Sequence, residues 1–316
     1  MKKFWNSLLM FSIVAVWVTS CQSDDIAYSD KEYVMFADTV YTMPVLDKDE
    51  TFTVPVAATT TASYDRKYAV EIVNDKSNVV RGFHFDFVDN SNNVVIKAGE
   101  RVANVLLKGH YSNVAREDSL RLTLRLVEPE AQKWNLYGNE THVDFVKCHP
   151  FVMNDFLMIK NNDDKVNLTM YASFPFDTNT NAYSVKAYKK NEHTLMLKDM
   201  FGTSGTGEIR VMFDDSDPLD LLVTVPEQAA FREASYGTVW IRSTAQYPSY
   251  FNTFDNFFIL YLEAYVPQIG GFGVYQYIFK CIDDNEAENG NNGAVTRSIV
   301  EENSNLSFFN IKKFLN

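Results

Sequence analysis

The sequence predicts an all-β chain, with an N-terminal immunoglobulin-like sandwich followed by an antiparallel meander or small barrel. Apolar residues alternate with polar residues over short runs through most of the chain, which is typical of strands with one buried face. Clusters of Asp, Asn, Ser and Gly separate these runs, as turns between consecutive strands do. Hydrophobic residues make up 46% and aromatic residues 14% of the chain, a composition that favours strands with well-filled cores over disorder.

The first predicted element is a secretory signal in residues 1–20. Lys2 and Lys3 precede an apolar stretch at 8–18, which is too short to cross a bilayer because a helix needs about 20 residues to do so. Small residues then lead to Cys21, a pattern that predicts acylation of Cys21 and a mature chain that begins there. The acyl chains would hold the protein at the membrane with about 0.8 kcal/mol per buried methylene. The alternative is a plain signal peptide followed by an incidental cysteine.

Residues 21–31 are predicted to form a tether that also carries an export signal. Gln22, Ser23, Asp24 and Asp25 follow Cys21 directly and resemble the surface-export signal of Bacteroidetes lipoproteins. That resemblance implies a lipid-anchored protein of the outer membrane that faces the cell exterior. The alternative is a solvated tether on a protein that faces the periplasm.

The charge of the chain narrows the set of partners. It has 29 basic and 41 acidic residues and a net charge of −12, and loss of Lys2 and Lys3 with the signal makes the mature chain more acidic. Such a surface repels nucleic acid and anionic lipid headgroups, so we expect neither as a partner. Neutral polymers such as glycans remain compatible with it.

Residues 32–148 are predicted to form the sandwich. Phe52, Val54 and Val56 share one face of a strand, and residues 120–126 are the clearest strand, with leucine at every second position. Short strands at this spacing predict an antiparallel sandwich. The turn clusters that separate the strands lie at 47–50, 74–78, 89–93 and 98–100.

Several segments of this first domain resemble a known family. Taken in order, they are similar to the Calx-beta-like, immunoglobulin-like domain at the front of Bacteroidetes surface lipoproteins. Calx-beta domains bind calcium through clustered loop acids, whereas here the acids are mostly scattered, apart from pairs such as Glu117 and Asp118, so we expect no bound metal. The segments that carry the resemblance are 54–56, 65–72, 82–85, 95–100 and 118–126.

Residues 150–282 are predicted to form the second domain, with the boundary at Pro150 because proline interrupts strand pairing. Sequential strands with short connections favour a meander that closes, or nearly closes, into a small barrel. The region resembles the lipocalin-like or meander domain that follows the first domain in the same lipoproteins. Residues 283–316 are predicted to be an acidic linker and a C-terminal segment that packs back onto this domain. The predicted strands are 166–170, 183–187, 207–213, 220–225, 237–242, 257–265 and 274–279.

Cys148 and Cys281 lie near the start and the end of the second domain. The exported compartment permits a disulfide between them if the first and last strands are neighbours. Two unpaired buried thiols are the alternative, because spacing alone does not give the geometry that a disulfide requires.

The sequence contains no motif that predicts catalysis or a cofactor. It lacks a nucleophile elbow, a zinc-protease motif, a phosphate-binding loop and a paired-cysteine zinc site. His142 and Asp144 alternate with Val143 and Phe145, which indicates the polar face of a strand rather than a metal site. We therefore expect a protein that is not an enzyme.

An aromatic, amide-rich segment at 246–256 is the candidate ligand site. Exposed rings stack on sugar faces, and neighbouring amides bind the hydroxyl groups, so the segment favours a cell-surface glycan-binding protein. One alternative is that these rings cap the core of the barrel. Another is that the protein is a structural or adhesive subunit of an outer-membrane protein complex, such as a glycan importer. The candidate residues are Tyr247, Tyr250, Phe251, Phe254 and Asn256.

Two tripeptides resemble the acceptor site for O-glycosylation in secreted Bacteroidetes proteins. They are Asp38-Thr39-Val40 and Asp118-Ser119-Leu120, and the resemblance implies modification at Thr39 or Ser119. Thr39 is the favoured acceptor because it lies nearer the start of the domain.

Overall fold

The computed structural model describes residues 31–48, 50–134, 138–159, 165–173, 181–198, 200–202, 205 and 207–281. The chain is all-β, as predicted, and its contacts divide it into two compact units, one within Met1–Met43 and Asp49–Phe145 and the other within Pro44–Lys48 and Val146–Asn316. The predictions for the signal, for Cys21 to Asp25 and for residues 283–316 fall outside the described residues. Within the described part of the chain, no helix is long and apolar enough to span a membrane.

The first unit is built from two antiparallel sheets, which agrees with the predicted sandwich. One sheet has the order β1-β3-β7-β5 and the other the order β2-β9-β8-β4-β6. Short 3-10 turns connect the strands at Asn74–Lys76, Val88–Asn90, Tyr111–Asn113 and Glu130–Gln132. The strands are β1 (Val34–Phe36), β2 (Val40–Val45), β3 (Phe52–Ala58), β4 (Arg66–Ile72), β5 (Phe85–Phe87), β6 (Asn93–Ile96), β7 (Val102–Gly109), β8 (Leu120–Val127) and β9 (Glu140–Lys147).

Alternation along the strands fills the core of the first unit. In β8, Leu122, Leu124 and Leu126 are fully buried, as their spacing predicts. Thr123, on the opposite face, is also buried, and its hydroxyl donates to the carbonyl of Lys76 at 2.9 Å. Burial of a hydroxyl is tolerated here because it has a hydrogen-bond partner.

The second unit is a closed barrel of eight strands, to which two further strands are added at one edge. Strands β10 to β14, β17, β18 and β19 form a ring of hydrogen-bonded neighbours, which closes where β19 pairs with both β10 and β18. Strand β16 pairs with the second half of β18, beyond β17, and β15 pairs with β16. The elements are α1 (Met153–Phe156), β10 (Lys165–Ser173), β11 (Asn181–Asn191), β12 (Thr194–Lys198), β13 (Ile209–Asp214), β14 (Leu222–Thr224), β15 (Gln228–Glu233), β16 (Gly237–Ser243), β17 (Ser249–Asn252), β18 (Phe257–Val266) and β19 (Gly270–Cys281).

The interior of the barrel is filled with aromatic side chains. Phe156 of α1 contacts Phe213 and Phe251 with ring centroids 5.6 Å apart in both pairs, and Phe258 stacks on Phe279 at 4.6 Å. An eight-stranded barrel is just wide enough for side chains to fill it. The rings around α1 therefore form a core and leave no room for a ligand among them.

Candidate functional site

The predicted ligand segment does not form a single exposed loop. Residues 249–252 are strand β17, which pairs with β14 and β18. Phe251 points into the barrel, is 3% exposed, and lies 4.8 Å from Phe151 and 5.1 Å from Phe213 between ring centroids. This placement corrects the assignment of Phe251 as a ligand-facing ring, because alternation along β17 turns it toward the core.

The residues after β17 form a structural turn. The side-chain oxygen of Asn252 accepts hydrogen bonds from the backbone N–H groups of Phe254 and Asp255, at 2.9 and 3.0 Å. Asn256 has φ +49°, in the left-handed region, and its carbonyl accepts a bond from the N–H of Cys281 at 3.0 Å. Asn tolerates this backbone conformation better than most residues, so Asn256 has a structural role in the turn.

The tyrosines of the predicted segment lie on the outer face of the barrel but are partly buried there. Tyr250 packs with Tyr261 against the buried side chains of Phe257, Ile259 and Ile278. Burial raises the pKa of Tyr250 and of Tyr261 above the ordinary value. Tyr250 thus packs into an apolar cluster.

The two remaining rings of the segment are also engaged by neighbours. Tyr247 lies 5.8 Å from Tyr261 between ring centroids, and Phe254 lies 5.6 Å from His149. The five predicted residues are therefore divided among the core, a turn and an outer cluster, and the structure does not gather them into one stacking platform.

A different surface of the second unit combines half-buried rings with charged groups. Trp240 and Tyr265 are paired across strands β16 and β18, and Arg242 is paired with Glu263 on the same two strands. Their neighbours in sequence, such as Val239, Ile241 and Ala264, are buried in the core, so these four side chains face outward. Strand geometry thus places two rings and two opposite charges side by side.

Arg242, Glu263 and Tyr265 line a shallow groove of about 470 Å³, which is within the usual size range of ligand sites, and Trp240 lies beside it as the cross-strand partner of Tyr265. Arg242 is held in it by two carboxylates, because its Nε donates to Glu263 Oε2 at 2.9 Å and its Nη1 donates to Glu227 Oε2 at 3.2 Å. The guanidinium lies 4.8 Å from the ring centroid of Tyr265. The lining residues are Glu227, Arg242, Glu263, Tyr265, Val266, Pro267, Gly270 and Gly271.

The local electrostatics fix the protonation states in the groove. The hydrogen bond to Glu263 raises the pKa of Arg242, which keeps the guanidinium charged. Desolvation raises the pKa of Tyr265, and its hydrogen bond to Glu227 raises it further, which keeps the phenol protonated. Arg242 is therefore a fixed donor, and Tyr265 presents a neutral ring.

Glycines keep the groove open on the side of the β18–β19 hairpin. Gly270 has φ +122° and Gly273 has φ +112°, values that side chains other than glycine rarely adopt. A Cβ added to Gly271 would lie 3.6 Å from Glu263 Oε1, so the missing side chain leaves that carboxylate oxygen accessible. Substitutions at these glycines would fill or distort the groove.

The groove is not predicted from the sequence, although its residues form a recognisable pattern along two strands. Trp240-x-Arg242 and Glu263-x-Tyr265 each place a ring and a charge on one face of a strand. The two pairs become neighbours only because β16 is in antiparallel register with β18. The sequence pattern does not specify this pairing, because β17 lies between β16 and β18 along the chain.

The other sequence candidates occupy structural positions. His142 Nδ1 is 2.9 Å from Thr123 Oγ1, and Asp144 accepts two bonds from Arg121, which lowers the pKa of Asp144. Within the described residues, no cluster of three or more His, Cys, Asp or Glu side chains could hold a metal ion. Both O-glycosylation candidates, Thr39 and Ser119, are exposed.

Cys148 and Cys281 are free and buried in the structure, which is the alternative to a disulfide. Burial raises the pKa of the Cys148 thiol to about 11 and that of the Cys281 thiol to about 12. Both side chains are therefore neutral thiols near physiological pH and behave as small apolar residues.

Comparisons with known proteins give structural similarity alone. No protein-family model matches the chain, and no curated protein matches its sequence. Similar solved structures include an auxiliary nutrient binding protein from Bacteroides thetaiotaomicron, at 12% identity over 77% of this chain and 89% of that chain, with a TM-score of 0.31. A protein of unknown function from Bacteroides ovatus matches at 12% identity over 80% and 92%, with a TM-score of 0.33. The apo form of the Calx CBD1 domain matches at 17% identity over 37% and 98%, with a TM-score of 0.29. Agreement at this level supports no inference about ligand or activity.

Proposed function

We propose that this chain is a non-catalytic, lipid-anchored protein of the cell surface whose second unit binds carbohydrate in the groove beside Tyr265. The observation that carries the proposal is the outward-facing pair Trp240 and Tyr265 next to a guanidinium bracketed by two carboxylates. The lipid anchor and the surface address rest on Cys21 and on the acidic residues that follow it in the sequence.

The groove offers the interactions that sugars require. Aromatic side chains provide flat apolar surface for the C–H face of a sugar ring, at about 1 kcal/mol per ring. Arg242 and Glu263 provide donors and acceptors on rigid strands, so little side-chain freedom is lost on binding. Two rings and a few hydrogen bonds correspond to binding in roughly the micromolar to millimolar range, which several copies on one surface would strengthen.

The same carboxylates do not favour hydrolysis of the ligand. A glycosidase needs a carboxylic acid that keeps its proton near neutral pH, which burial or a like-charged neighbour provides. The side chains of Glu227 and Glu263 are 51% and 33% exposed, so neither is buried, and both are bound to the same guanidinium rather than to a second carboxylate. We therefore propose binding without cleavage.

A glycan array probed with the full chain tests this function. We expect retention of a subset of oligosaccharides, with no release of reducing ends on prolonged incubation. Tyr265→Ala should abolish retention at an unchanged melting temperature. A clean array, together with co-purification of a membrane protein, would instead favour the structural subunit, and release of reducing ends would contradict the absence of catalysis.

A further inference from the structure

We infer that Glu227 and Glu263 make the groove selective for neutral and amino-bearing sugars over anionic ones. The inference rests on the proposed function and specifies the chemical class of its ligand. It follows from the presence of two carboxylates and one guanidinium in the groove, and from the hydrogen bonds that join them.

Each carboxylate is bonded to Arg242 through one of its two oxygens. Both bonds use the Oε2 atom, which leaves the Oε1 atom of Glu263 for a ligand, whereas Glu227 also accepts a hydrogen bond from Tyr265. Glu263 Oε1 is directed toward Gly271, where the absence of a side chain gives access to it. The groove therefore presents more acceptors than a single neutralised ion pair would.

An anionic sugar meets two obstacles in this arrangement. Arg242 is the sole cation among the described residues that line the groove, and its charge is already matched by two carboxylates. A carboxylate or sulfate on the ligand would have to displace one glutamate from Arg242 and remain close to the other. Like charges a few ångströms apart at a protein surface weaken binding on the order of tenfold or more.

Neutral and amino sugars meet no such obstacle. Their hydroxyl groups donate to Glu263 Oε1 and accept from the remaining N–H donors of Arg242. An ammonium group gains a charge-assisted hydrogen bond, which is roughly twice as strong as a neutral one. The groove should therefore rank amino sugars at or above neutral sugars, and both above uronic acids.

Matched oligosaccharides test the ranking by calorimetric titration of the full chain. The probes are tetrasaccharides of β-1,4-glucose, α-1,4-glucose and β-1,4-mannose, each neutral and with C6 oxidised to the carboxylate, and the 2-amino form of the first. At low salt we expect the oxidised form of any bound tetrasaccharide to bind on the order of tenfold more weakly than its neutral parent. Salt at about 1 M should narrow this gap, because it shortens the screening length from about 10 Å to about 3 Å.

Two variants separate local from overall charge. Glu227→Gln should reduce the gap between neutral and oxidised probes several-fold. Glu208 lies outside the groove, where its carboxylate bonds to Tyr188 and Lys198. Glu208→Gln therefore removes the same charge from this unit and should leave the difference in affinity between neutral and oxidised probes unchanged. Equal binding of neutral and oxidised probes overturns the selectivity while the proposed function stands. No binding of any probe in the set or on the array overturns both.

Discussion

Replacement of Phe251 by alanine should severely destabilise the second unit. Phe251 is 3% exposed and contacts the rings of Phe151, Phe156 and Phe213 with centroids 4.8, 5.6 and 5.1 Å away. Truncation of a buried phenylalanine costs about 3–5 kcal/mol, and three ring contacts place this site in the upper part of that range. Since small domains have only about 5–15 kcal/mol of stability, the variant should be close to unfolded.

Denaturant titration followed by the fluorescence of Trp240 measures this loss. A Trp134→Phe background makes the signal specific, because Trp240 is then the only tryptophan after residue 17. Phe251→Leu preserves most of the volume and should cost about 1.5 kcal/mol or less. Phe254→Ala, which removes a ring outside the core, should cost about 1 kcal/mol or less. A loss below about 1 kcal/mol for Phe251→Ala would refute the core assignment.

Three further predictions concern a buried acid, the thiols and the anchor. Glu128 is 8% exposed, and burial raises its pKa. Stability is therefore lost as pH rises through that pKa. Glu128→Gln should raise the melting temperature of the first unit at pH 7 by a few degrees, with no gain near pH 4. An unchanged melting temperature at pH 7 would contradict this prediction. The thiols of Cys148 and Cys281 should resist alkylation in the native state at pH 8 and each take one label on unfolding without reductant, whereas absence of label would indicate a disulfide. Cys21→Ala should abolish incorporation of a labelled fatty acid and release the protein from membranes, and label that persists in the variant would contradict acylation there.

The alternation of apolar residues was sufficient to predict the fold class because it records burial directly. Leu122, Leu124 and Leu126 point into the core of the first unit, and β18 alternates in the same way from Leu260 to Val266 after a start in which Phe257, Phe258 and Ile259 are all buried. Strand β17 was missed because its four residues, Ser249–Asn252, are too few to establish a period and lie among turn residues. Short strands depend on pairing with their neighbours, which is a property of the whole barrel.

The candidate site was harder to predict than the fold because aromatic residues serve both cores and binding surfaces. The composition of 246–256 does not distinguish Phe251, which fills the barrel, from Tyr247, which lies outside it. Only position on a strand of known register decides the direction of each ring. The groove beside Tyr265 required a second relation, the pairing of β16 with β18, which joins residues more than 20 positions apart.

We propose that ligand binding resides in the groove and not in the segment 246–256. Titration of the full chain with the strongest ligand from the array compares Trp240→Ala, which removes a ring beside the groove, with Phe254→Ala, which removes a ring from the segment. We predict at least about a tenfold loss of affinity for Trp240→Ala and unchanged affinity for Phe254→Ala, at equal melting temperatures. Loss of affinity in Phe254→Ala alone would contradict the account and return the site to the segment.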